Sequence, residues 1–299
     1  MTTTSSNCAP VDGGAAMAAN PTFEFVRSLA AELSSGRVEL PSFPDVVVRV
    51  RRALGDESTT VDQLVRIVGS EPALAARLLK MANSAALNRT GKAVTDLRTA
   101  INRMGYNMVR SAAISFAMAQ IRKGSKLKAI EEDLKRLWEE ATHVAALSYV
   151  IAKKQSRINP DEAMLVGLLH GIGKLYILTR AEGHPELFAS RETLLEVLRD
   201  WHAGIGRAIL ENWEFPEEMV EAIQQHEDGE RDHEGPADLT DVLTVSVVMS
   251  SYVSRPDDLE LRFQDVTAFR HLGLDADHCR DMLTASADEI AQLRQALGA

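Results

Sequence analysis

The sequence predicts an all-α protein. Ala, Leu, Arg and Glu dominate it, runs of β-branched residues are few, and apolar residues recur at three and four positions instead of alternating. With 299 residues, 45% hydrophobic and 25% charged, the chain is long enough to bury a sizeable core.

The elements follow in order. Residues 1–20 are rich in Ser, Thr, Gly and Ala and lack both a basic start and a leucine-rich core, so they read as a disordered leader and not as a secretion signal. A helix is expected at 22–34. Over 46–54 a Val triplet competes as a strand, but Val47, Val50, Arg51 and Leu54 share a helical face, and Pro44-Asp45 is a helix start. A helix at 60–68 precedes the stretch Ser70 to Leu87. There Ser70 is placed to cap, Pro72 falls in the first turn, and Leu74, Leu78, Met81 and Ala85 lie on one face. Helices at 95–104 and 106–121 follow. The basic stretch Arg122 to Lys128, with Gly124, breaks the periodicity and marks a boundary. Beyond it come helices at 131–154, 161–169, 191–212, 217–226, 239–254 and 281–297. Between two of these, Glu227 to Asp238 is rich in Asp, Glu, Gly and Pro and reads as solvated loop. The organisation is thus a leader (1–20), an N-terminal helical subdomain (21–121), a second helical subdomain (129–235) and a C-terminal helical extension (236–299).

Charge and apolar runs exclude some partners. Lys and Arg total 33 against 43 Asp and Glu, and the net charge of −10 opposes a phosphate backbone. Arg49, Arg51, Arg52, Arg103 and Arg110 are therefore read as solvated helix faces, and no nucleic-acid partner is expected. Apolar runs such as Ala163 to Leu169 are far shorter than the roughly 20 residues that span a bilayer, so no membrane partner is expected. Cys8 and Cys279 are the two cysteines, too few for a disulfide framework or a cysteine zinc site, and point to a reducing, cytoplasmic compartment.

The histidines divide into two groups. His184, His233, His271 and His278 sit among Gly, Pro, Asp and Glu and read as exposed surface. Four others point inward. His143 shares a face with Ala146, Leu147 and Val150, and His170 ends the apolar run Met164 to Leu169. His202 lies in the row Leu194, Leu198, Ile205, Ile209, and His226 follows Met219 and Ile223. Converging imidazoles suit a divalent metal, with carboxylates completing the shell. The residue after His170 is Gly171, which supplies no ligand.

The stretch His170-Gly171-Ile172-Gly173-Lys174 resembles the signature of the HD superfamily, in which His-Asp is followed by Ile-Gly-Lys. Other stretches resemble landmarks of the HDOD family, in the family's order: Leu40 to Pro44, Ser70 to Leu74, Leu79 to Ser84, Ala100 to Gly105, and Trp213-Glu214-Phe215-Pro216 with His226. They span roughly residues 25–235. The resemblance implies an HD-like helical bundle with an N-terminal helical subdomain packed on it. It matches His143 to the first metal-binding histidine of HD enzymes, His170 to the histidine of the HD pair, and His202 and His226 to positions many HDOD proteins retain. Gly171 replaces the metal-bridging Asp, and Val247 takes the place of the closing Asp, with Ser246 or Ser250 under a small shift of register. Asp241 lies about half a helix away. Lys174 reads as a phosphate contact or as a solvated lysine after a glycine turn. No Gly-Tyr-Pro occurs; the single Gly-Tyr is Gly105-Tyr106.

Without the bridging acid a catalytic metal pair loses its geometry and charge compensation. The expected function is a non-catalytic bacterial signalling module that binds a protein partner or a nucleotide and needs no cofactor. The alternative is a residual metal-dependent phosphohydrolase acting on a nucleotide or cyclic dinucleotide, with one divalent ion on His143, His170, His202 and His226.

Overall fold

A computed structural model describes residues 21–35, 44–88, 91–124, 128–181, 184, 190–252, 263 and 265–298. The leader, Cys8 and most of the Leu40 to Pro44 stretch lie outside the described residues. Thirteen helices are described: α1 (Pro21–Ser34), α2 (Asp45–Gly55), α3 (Val61–Gly69), α4 (Pro72–Ala82), α5 (Leu97–Gly124), α6 (Lys128–Gln155), α7 (Pro160–Leu169), α8 (Ile172–Ala181), α9 (Arg191–Asn212), α10 (Glu217–Gln225), α11 (Leu239–Tyr252), α12 (Thr267–His271) and α13 (Ala276–Leu297). No strand occurs among the described residues, and the fold class is the all-α one expected.

Local chemistry sets the helix ends. Thr60 and Gln63 form a reciprocal capping box at the start of α3, with the Thr60 amide donating to Gln63 Oε1 at 2.7 Å. Ser70 does not cap α4, as the sequence suggested. It ends α3, and its hydroxyl donates to the Ile67 carbonyl at 2.7 Å, while Glu71 precedes Pro72 at the start of α4. α4 stops at Ala82 because the Asn83 side chain pairs with Val94 across a loop, donating to its carbonyl and accepting from its amide, both at 2.7 Å. The two helices expected at 95–104 and 106–121 run as one element, α5, kinked at Gly105, where φ is +74°.

Two elements were not legible. α8 buries Leu175, Tyr176, Ile177 and Leu178, but the glycines at its start read as a turn. α12 is only five residues long. One stretch, 160–181, is apolar and long enough by composition to cross a membrane, but it is α7 and α8 with a turn between them, mostly buried in the core.

The buried apolar residues form one cluster that runs from Phe25 in α1 to Leu297 in α13. α6 lies against α7, α11 and α13, and α9 lies against α8 and α10. α1 docks on α8 through Glu32, which accepts from Tyr176 Oη at 2.5 Å and pairs with Arg180 at 2.8 Å. The Trp213 to Pro216 stretch fastens the N-terminal helices to the α9–α10 turn. Arg51 of α2 lies 5.0 Å over the Trp213 ring, and Arg110 of α5 lies 5.1 Å over Phe215 and donates to the Leu54 carbonyl at 2.9 Å. Arg49 and Arg103 also have protein partners, at Ser70 and at the Lys92 carbonyl. Arg51, Arg103 and Arg110 are thus half-buried within the fold, while Arg49 and Arg52 are exposed, as expected.

Candidate functional site

Three of the four inward histidines converge. His170 follows α7, His202 lies within α9 and His226 follows α10, and all three are buried. The His170 and His226 ring centroids are 5.8 Å apart, and those of His202 and His226 are 6.0 Å apart. His170 Nδ1 lies 2.7 Å from the Gly167 carbonyl and His226 Nδ1 lies 2.8 Å from the Ile223 carbonyl. A carbonyl only accepts, so each Nδ1 carries the proton and each Nε2 faces the site. Among the described residues neither Nε2 has a hydrogen-bond partner.

Close helix contact at glycines shapes the site. A Cβ on Gly173 would fall 1.9 Å from the His202 carbonyl oxygen, so α8 can approach α9 only with glycine there. A Cβ on Gly171 would fall 2.6 Å from Leu137 Cδ1 of α6. The space beside Gly171 is thus held by the end of a leucine side chain. Gly171 and Gly173 are packing glycines.

His143 does not join the cluster, which corrects the sequence assignment. It faces α13 in a cavity of about 490 Å³ lined by Arg280, Leu283, Ile290 and Arg294. Burial, with the nearby Arg294 charge, pushes its pKa down to about 4. Glu140, one turn earlier on α6, takes the place beside the site, 3.6 Å from His170 Nε2. A 28-residue helix packed on several sides gives the sequence no single phase, so the wrong turn was chosen.

Glu227 was also missed, because it opens a stretch that reads as solvated loop. Its Oε1 lies 2.9 Å from His202 Nε2, out of line for a full hydrogen bond, and 3.6 Å from Lys174 Nζ. Burial opposes its charge, but His202, Lys174 and His226 outweigh it and hold its carboxyl down at about 2. His170 likewise lowers the Glu140 pKa. Burial, then the His170 ring, pushes His226 down to about 3. Val247 lines a cavity of about 220 Å³ with His226, Glu227, Thr244 and Ser251, so the position matched to the closing acid faces this site with an aliphatic side chain.

The imidazole donors suit a divalent ion in chemistry. Their spacing does not, since among the described residues no three donors of this cluster lie within 4.8 Å of one another. The residues as arranged do not fit the metal pair of HD enzymes. Two carboxylates against one ammonium also give the site an acidic balance that opposes a phosphate.

The surface reading of the other histidines holds for His278, which is 63% exposed and pairs with Asp275. His184 instead packs edge-on to Phe25, at 5.1 Å between ring centroids. His233 and His271 are mostly buried and meet at Asp241.

Fold and site together define an all-helical domain with three buried histidines converging between its helices. A family profile for the HDOD domain matches residues 40–229, well over half of the chain, and the chain belongs to the HDOD family. It is similar to a protein from Shewanella amazonensis SB2B provisionally called a metal-dependent phosphohydrolase, with 27% identity and a TM-score of 0.70 over 93% of this chain and 99% of that one. An HDOD domain protein of unknown function from Geobacter sulfurreducens shares the fold, with 23% identity and a TM-score of 0.60 over 92% and 98%. An uncharacterized protein of Treponema pallidum is 25% identical over 215 residues. The match covers 66% of this chain but 39% of that relative, so this chain spans about two fifths of its length.

Proposed function

We propose that this chain is a non-catalytic regulatory module that acts by binding a protein partner in the cytoplasm, with its HD-like site kept as structure. One observation carries the reading: Leu137 occupies the space that any side chain at Gly171 would need. The bridging acid is missing, and restoring it must push the end of that leucine side chain aside. The acidic balance at Glu140, Glu227 and Lys174 disfavours a nucleotide and leaves protein contact as the favoured mode. No cofactor is required for this role.

A second reading, residual metal-dependent phosphohydrolysis, is favoured by the unpartnered Nε2 atoms of His170 and His226 and by the name given to the Shewanella relative.

Turnover separates the two. Purified protein is incubated with bis-p-nitrophenyl phosphate or a cyclic dinucleotide and Mn²⁺, Fe²⁺ or Ni²⁺. No rate above the protein-free blank is expected. Turnover abolished by His170→Ala, in a variant with wild-type circular dichroism, would overturn the regulatory reading.

A further inference from the structure

His233, Asp241 and His271 form a second, separate cluster in the C-terminal part of the chain. Asp241 lies in the first turn of α11 and is 2% exposed. His233 comes from the loop after α10, and His271 ends α12. His233 Nε2 lies 2.9 Å from Asp241 Oδ2, and His271 Nδ1 lies 3.1 Å from Asp241 Oδ1. The two rings meet edge to face, at 4.3 Å between centroids. Among the described residues this is the set of three whose donor atoms all lie within 4.8 Å of one another.

The surroundings orient the rings for ligation. Metal-binding imidazoles characteristically donate their other N–H to a carboxylate or a carbonyl, which fixes the tautomer. Here His271 Nε2 lies 2.9 Å from Asp232 Oδ1, and His233 Nδ1 lies 3.3 Å from the Glu234 carbonyl. Asp241 Oδ2 is steadied by the Asp238 amide at 3.0 Å. Arg231 is held by Asp238 through contacts of 2.5 and 3.3 Å and stands 3.6 Å from Asp241 Oδ1, and Arg270 donates to Asp232 Oδ1 at 3.0 Å. The carboxylates of Asp238 and Asp232 that hold these two arginines counter their repulsion of an ion.

We infer that His233, Asp241 and His271 bind one divalent transition ion of the zinc type, through two imidazole nitrogens and one carboxylate oxygen, with water in the fourth position. Two nitrogens and one oxygen match the ligands zinc takes, and donors already this close need only small shifts to reach ligand distances of about 2.0–2.2 Å. The ion would tie the 228–238 loop to α11 and α12. The competing arrangement is a proton network, in which each imidazole donates to Asp241 and no ion enters.

The test uses the full chain, stripped with a chelator, dialysed and titrated with Zn²⁺ alone in a calorimeter. One equivalent is expected, with a rise in melting temperature. His271→Gln or His233→Gln should lower the affinity at least tenfold, and Asp232→Asn should weaken it about tenfold without removing a ligand. His170→Gln should leave the equivalent in place. Co²⁺ in the wild-type protein should give a tetrahedral ligand-field spectrum without a thiolate band, which needs no variant to fold. Absence of a stoichiometric site, an octahedral Co²⁺ spectrum, or binding lost in His170→Gln and retained in His233→Gln would overturn the assignment. None of these outcomes depends on turnover.

Discussion

Leu137 Cδ1 of α6 lies 2.6 Å from where a Cβ on Gly171 would stand. An aspartate there must displace the leucine. Gly171→Asp should cost about 1–3 kcal/mol by overpacking, and Leu137→Ala alone about 2–5 kcal/mol by leaving a cavity. In the double variant the cavity receives the new side chain, so urea denaturation should give a loss smaller than the sum. Additive losses would show that the two positions do not compete for space.

The contrast between neighbouring glycines is sharper. At Gly171 the obstacle is the end of a flexible side chain, whereas at Gly173 it is the His202 carbonyl oxygen, 1.9 Å from the new Cβ. Alanine ordinarily gains about 1 kcal/mol over glycine inside a helix. Gly173→Ala should nonetheless destabilise, and by more than Gly171→Ala, because backbone must move. Equal melting temperatures for the two variants would contradict this close approach of α8 and α9.

Acid should weaken the protein through buried imidazole and carboxylate together. His226 titrates near 6.5 when unfolded and at about 3 when folded, so its contribution is complete above pH 6.5 and declines as pH falls toward 3. By pH 5 the loss from this one group is at most about 2 kcal/mol. Glu227, held at about 2 against an ordinary 4.5, adds a loss that begins as pH falls through 4.5. His226→Gln should lessen the slope between pH 7 and pH 5, where His143, held at about 4, still contributes, while leaving the lower limb. A slope unchanged by the variant would remove His226 as its source.

Asn83 replaces a helical turn with a pair of bonds to Val94. Asn83→Ala should cost about 1–3 kcal/mol, the scale of two net hydrogen bonds, and speed amide exchange at the buried Val94. Unaltered protection at Val94 would count against the pairing.

Much of the fold was legible, because core helices such as α4 and α9 keep an apolar stripe against a polar face. α8 was not, since Gly171 and Gly173 at its start read as a turn and hid the helix that follows. At the site, His170, His202 and His226 were found from their place at the end or on the face of apolar runs. Glu140 and Glu227 were not, because a carboxylate one turn from a histidine, or beside one, is ordinarily solvated. The His233 to His271 meeting joins residues 38 apart, by the difference of their numbers, through a loop whose composition signals only exposure. Periodicity speaks of faces within one helix, and these contacts lie between elements.

The guanidinium stacks on Trp213 and Phe215 bear on how the molecule comes apart. Arg51 and Arg110 reach the α9–α10 turn from different helices, and that turn joins the elements that carry His202 and His226. Loosening the N-terminal helices strips both aromatic rings, and loosening the turn frees both arginines, so neither part retains its packing without the other. The chain should melt in one cooperative transition, with tryptophan fluorescence and far-ultraviolet circular dichroism tracing the same curve.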